Sequence, residues 1–227
     1  MVADCRIESR RRAVEDRRRR RQHPACQPEQ PLHLGGGSGR KLGRRLRSSL
    51  AFAAKHPDRL LSLALLEPAW AGNWDWRPAH TELWKVYERL EDLPPEQFTP
   101  AFMRLGVKRD VVLPPPPPGP PPPWMAKRPA GIRAFLRTFK SYDLDRARLA
   151  AFRRPVLFVL GGLSNPDEFG DIAGRLSRVF FPDFRLEVFP KRHHFDPPHR
   201  IEPERLAELL RAYWERAEGR SAASAGS

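Results

Sequence analysis

The chain has 227 residues, 40% of them hydrophobic, enough for one domain with a buried core. A net charge of +14 and 26 prolines mean that part of it is not packed like the rest. Two cysteines exclude a disulfide framework and a four-cysteine metal site, and no apolar run approaches the roughly 18–20 residues of a membrane helix.

The charge is unevenly spread. Residues 1–47 hold 14 Lys and Arg against 5 Asp and Glu, a net +9, which leaves +5 for the remainder. Both cysteines, Cys5 and Cys26, lie in this segment, and residues 17–21 are all arginine. Like charges at that spacing repel, so residues 1–47 are predicted to be a disordered basic arm. Arginine clusters neutralise phosphates, which makes nucleic acid or an acidic surface the alternative partner. No aromatic residue interleaves with these arginines to stack on bases, so nucleic acid is the disfavoured partner. The arginines are not followed by the apolar stretch of a secretory signal, and a cytoplasmic protein without membrane attachment is expected.

Order is predicted from residue 48. Residues 50–56 are helical in composition and end at Pro57; residues 60–66 form a short apolar run suited to a buried parallel strand, closing on Glu67. Residues 71–140 read as a helical insertion. Leu83, Val86, Tyr87 and Leu90 recur at helical spacing within 79–90, a second helix covers 97–105, and Ile132, Phe135, Leu136 and Phe139 share a face within 130–139. The proline-rich run 114–123 is confined to polyproline II or turns, as a stiff surface loop or as a ligand for an SH3-like groove.

After a helix over 146–152, the segment 154–200 reads strand, loop, helix, strand, polar loop. The strands are 155–160 and 184–189. Asn165 and Pro166 make an N-cap and first turn for a helix over 167–180. Pro203 opens a last helix with Leu206, Leu209, Leu210, Tyr213 and Trp214 as its stripe, and residues 219–227 read as a small polar tail, disordered like the arm. In parallel sheets functional groups sit on loops at the carboxyl ends of strands, so a histidine just past the last strand suits acid–base chemistry. His193, His194, Asp196 and His199 could suggest a metal site, but Pro197 and Pro198 prevent a helix from aligning them, and no metal or cofactor is expected.

Residues 51–60, AFAAKHPDRL, resemble the helix after the nucleophile of the α/β hydrolases. Residues 63–69, LALLEPA, resemble the strand that follows; the insertion resembles a cap domain; and 186–195, LEVFPKRHHF, resemble the last strand and the loop with the catalytic histidine. The resemblance runs from Ser48 to about Ala217. It implies an α/β fold, an incomplete α/β-hydrolase fold with a parallel sheet core and a helical cap insertion, over residues 48–218. It implies a serine-type hydrolase of a small, mostly apolar ester-like substrate.

By that resemblance His194 is the base, with His193 second. The acid is either Glu67, at the end of its strand, or Asp167; Asn165 stands where an aspartate would be expected. Trp70, Trp74, Trp76 and Trp84 either line a substrate pocket or pack cap against core.

The first quarter departs from the pattern. The G-x-S-x-G turn that exposes a nucleophilic serine is missing: Ser38 follows Gly36 but precedes Arg40, and spacing from Ala51 puts the family's serine near Gly43. Residues 40–45, RKLGRR, have codons that permit Gly-Asn-Ser-x-Gly-Gly one base later. The expectation is that residues before about Ser48 are an out-of-frame reading of a hydrolase gene, and that activity is impaired.

Overall fold

The computed structural model describes residues 49–115 and 118–225, with side chains up to residue 219. The expectations for residues 1–47, including the basic arm and the displaced reading frame, lie outside the described residues.

Three parallel strands form the sheet in the order β1 (Leu63–Leu66), β2 (Val156–Gly161), β3 (Phe184–Phe189). Leu63 pairs with Val156, and Val156 with Phe184. The central strand is apolar on both sides because both its faces are covered. On one face Val156 and Phe158 pack with Leu50, Leu149, Ile172 and Leu176, from helices α1 (Ser49–Lys55), α5 (Arg146–Ala150) and α6 (Asp171–Val179). On the other, Leu157 and Val159 meet Leu206 and Tyr213 of α8 (Pro203–Ala225).

Between β1 and β2 the chain builds α2 (Pro78–Arg89), α3 (Pro95–Leu105) and α4 (Arg128–Ser141) before α5. Each of α2 to α4 has proline in its first turn, where the missing N–H is no loss. Leu83, Tyr87, Leu90, Phe98 and Leu136 give this cap-like insertion a core of its own. The described prolines of 114–123 are exposed, and Gly119 there adopts a φ of +100° that suits glycine. Among the described residues no helix is long and apolar enough to cross a membrane.

The structure differs from the sequence expectations in three places. β1 starts at Leu63 rather than residue 60, because a 3₁₀ turn over Pro57–Arg59 takes the Leu60 N–H and the sheet's first bond runs from Leu63 N to Pro155 O. The helix expected over 167–180 is split into a wide π-type turn, Pro166–Gly170, and α6, which buries the adjacent residues Glu168 and Phe169 together. Finally, α8 continues to Ala225 through what was expected to be a disordered polar tail. Alanine at 217, 222, 223 and 225 supplies the strongest helix propensity available.

A short α7 (Pro198–Ile201) precedes α8. The buried Tyr213 hydroxyl of α8 donates to both Leu63 O and Pro155 O, where β1 and β2 begin. Tyr213→Phe removes that donor, and Pro155 O keeps only its bond from Leu63 N. A loss of about 1–2 kcal/mol is expected, read as a lower urea midpoint at unchanged slope.

Candidate active site

Glu67 is the first residue after β1. Its N–H completes the ladder to Val159 O at 3.2 Å, and its φ of 44° lies in the left-handed region that side chains rarely adopt. That turn carries the carboxyl group across the carboxyl ends of the other two strands. Oε1 accepts from Gly161 N at 2.6 Å and from Ser164 Oγ at 2.6 Å, and Oε2 lies 3.2 Å from His194 Nδ1.

The loop after β3 reaches Glu67 because the loop after β2 leaves it room. A Cβ on Gly161 would lie 2.6 Å from Arg192 O, and one on Gly162 2.7 Å from Pro190 O. Backbone bonds fasten the two loops together, from Gly162 N to Phe189 O at 2.8 Å and from Leu163 N to Arg192 O at 2.9 Å. Arg192 binds Asp196 at 2.9 Å and Glu202 at 2.6 Å, tying the histidine loop to the start of α8. The His194 ring stacks on Phe169 at 4.4 Å and meets Phe195 edge-on at 5.1 Å. A carboxylate facing Nδ1 favours, for the neutral ring, the tautomer with its proton on Nδ1.

The structure thus brings His194 and Glu67 together. Asp167 is elsewhere: its N–H bonds to Asn165 Oδ1, and its side chain borders a separate depression with Arg89, Arg104 and Lys108. His193 Nδ1 accepts from Phe195 N at 3.2 Å, a bond internal to the loop, and burial lowers its pKa below the ordinary value. Among the described residues no three His, Cys, Asp or Glu side chains converge as a metal ion would require.

Beside His194 lies a cavity of about 230 Å³, walled by Trp84, Tyr87, Phe102, Ile132, Phe135, Leu136 and Phe139 of the insertion and by Glu168, Phe169 and Phe195. Of the four tryptophans, Trp84 faces it. Trp70 instead stacks on Phe139, Trp74 packs edge-on against Phe180, and Trp76 stacks on Trp84.

Sequence reasoning missed Ser164, Tyr87 and Glu168. Ser164 carried a signal, as a hydroxyl four residues past the end of a strand. Glu168 carried none, because a wide turn was needed to bury it.

Tyr87 Oη donates to Glu168 Oε2 at 2.7 Å. Burial raises the Glu168 pKa from 4.5 to about 8, against the lowering effect of the Tyr87 bond and with added repulsion from Glu67. Burial and the Glu168 charge raise the Tyr87 phenol well above its ordinary value. Behind the cavity, His80 Nε2 accepts from Trp84 Nε1 at 2.9 Å, and its Nδ1 lies 3.2 Å from Asp171 Oδ2. Burial holds His80 down at about 4 despite Asp171. Asp171 also pairs with Arg77, so α6 is joined to the start of α2. Arg175 of α6 is wholly buried between Trp74 and Trp76 and donates to Trp74 O at 2.6 Å. Burial lowers its pKa to about 10.

The architecture is α/β-hydrolase-like: a partial parallel sheet, a helical insertion after β1 and a histidine loop after β3. No family model and no curated protein matches the chain. Solved structures do. A thermophilic esterase from Thermogutta terrifontis, with malate bound, shares 21% identity at a TM-score of 0.44, over 74% of this chain and 61% of that one. A proline iminopeptidase of Mycobacterium smegmatis shares 18% at 0.40, over 76% and 62%. An alpha/beta hydrolase from Sphaerobacter thermophilus DSM 20745 shares 20% at 0.38, over 71% and 63%. The chain therefore spans under two thirds of the length of each.

The raised Glu168 pKa has a signed consequence for stability. The folded chain keeps a proton that the unfolded chain releases above about 4.5, so this group's contribution falls as pH rises towards about 8. His80 acts in the opposite sense, and its contribution falls as pH drops from 6.5 to about 4. Between roughly pH 6.5 and pH 8, Glu168→Gln should therefore remove a decline of about 1–2 kcal/mol, measured by urea unfolding at the two ends of that window.

Proposed function

We propose that the chain is a hydrolase of small, mostly apolar ester-like substrates, with His194 as base and Glu67 as its orienting acid. The observation that carries this is the Glu67–His194 contact at the edge of an apolar cavity. In this reading Glu67 fixes the Nδ1–H tautomer and stabilises the imidazolium that forms when Nε2 takes a proton. The Gly161 N–H and the Ser164 hydroxyl hold the other carboxyl oxygen, so the carboxylate does not swing away. The cavity accepts the apolar part of the substrate and keeps water from it.

Among the described residues no hydroxyl or thiol bonds to the His194 ring, so in this reading turnover is impaired and His194 activates water. The activity belongs to a chain that covers 61% to 63% of the matched structures, and serine-type chemistry would require an alcohol outside the described residues.

The test is release of p-nitrophenol from p-nitrophenyl acetate. Slow turnover above buffer is expected, lost in His194→Ala and reduced at least about tenfold in Glu67→Gln. An unchanged rate in His194→Ala, or no rate above buffer in the wild type, overturns the reading.

A further inference from the structure

The polar groups around the cavity are nearly all engaged. Trp84 Nε1 is given to His80, His194 Nδ1 faces Glu67, and Tyr87 Oη is given to Glu168. That leaves His194 Nε2 and the second carboxyl oxygen of Glu168 as the groups with capacity for a bound molecule. Glu168 is 5% exposed and forms part of the cavity wall. Among the described residues no lysine or arginine lines this cavity.

We propose that Glu168, oriented by Tyr87, is the specificity group of this cavity. It donates a hydrogen bond to a carbonyl-type oxygen on a small, neutral aryl or branched-alkyl molecule, an oxygen distinct from the bond that His194 addresses. The inference rests on the cavity being the substrate pocket of the proposed hydrolase, and it names the substrate class as keto-substituted or similar doubly oxygenated esters.

Three further observations support it. Tyr87 Oη holds one carboxyl oxygen as an acceptor, so the group is fixed in orientation. Among the described residues the titratable groups acting on Glu168 are Tyr87 from α2 and Glu67 from the end of β1, His194 from the loop after β3 lines the same cavity, and none is a fixed cation that would keep the carboxyl group ionised. With its pKa at about 8, the group is mostly a neutral acid near pH 7 and has a proton to donate. A buried donor left without an acceptor is costly, so a ligand that supplies an oxygen is favoured over an apolar isostere.

The experiment is isothermal titration calorimetry of the full chain near pH 6.5 with acetophenone and with α-methylstyrene, in which a methylene replaces the carbonyl oxygen. The wild type should prefer the ketone by about tenfold. Glu168→Leu should bind both equally, and Glu168→Gln, which still carries N–H donors, should keep part of the preference. Raising the pH above the Glu168 pKa should remove the preference in the wild type without any substitution, so the test stands even if Glu168→Leu does not fold. Equal affinities in the wild type, a ketone preference unchanged in Glu168→Leu or at high pH, or no binding of either compound overturns the proposal. His194-dependent ester turnover alongside such a result would leave the hydrolase reading standing. Ketone selectivity without turnover would instead sink the hydrolase reading and keep the binding site.

Discussion

One carboxylate joins the carboxyl ends of all three strands. Glu67 follows β1, takes the backbone N–H of the last residue of β2, and touches the imidazole on the loop after β3. The parallel arrangement makes this possible, because it brings three strand ends to one edge of the sheet. The backbone at Glu67 bears the strain. A left-handed φ on a residue with a side chain persists where the surroundings over-determine it, and here three polar contacts do so.

The insertion completes what the sheet begins. Its helices share a small core, and one wall of that core is also the wall of the cavity. The insertion is held to the sheet domain by polar groups as well as by packing. Asp171 reaches Arg77 and His80, and Arg175 lies between two tryptophans and donates to backbone carbonyls. Apolar surfaces alone tolerate small slides. Directional bonds such as those from buried Arg175 to Gly72 O and Trp74 O resist them.

Most of the architecture was legible in the chain. The β2 run is apolar at every position because it is buried on both faces, and Phe184–Phe189 is bounded by turn residues. Helix positions in the insertion followed from their 3.6 period. The histidine loop was legible from its place past the last strand, and His194 was preferred to His193 only by resemblance. Which carboxylate meets the His194 ring was not legible: Glu67 and Asp167 both follow strands, and the choice between them depends on a φ of 44° that no pattern encodes. Glu168 was hidden for a similar reason. A regular helix from Pro166 would have been the simplest reading, and the wide turn that buries Glu168 beside Phe169 responds to the tertiary space around it.

Gly161 and Gly162 do not line the cavity, yet the histidine loop is seated against both. Each lies against the backbone of the histidine loop more closely than a methyl group could. Even an alanine at either site would lever that loop outward and separate His194 from Glu67. The two positions that hold the Glu67–His194 contact in register are thus ones whose side chains never existed, and a substitution there would disturb alignment rather than remove a polar group.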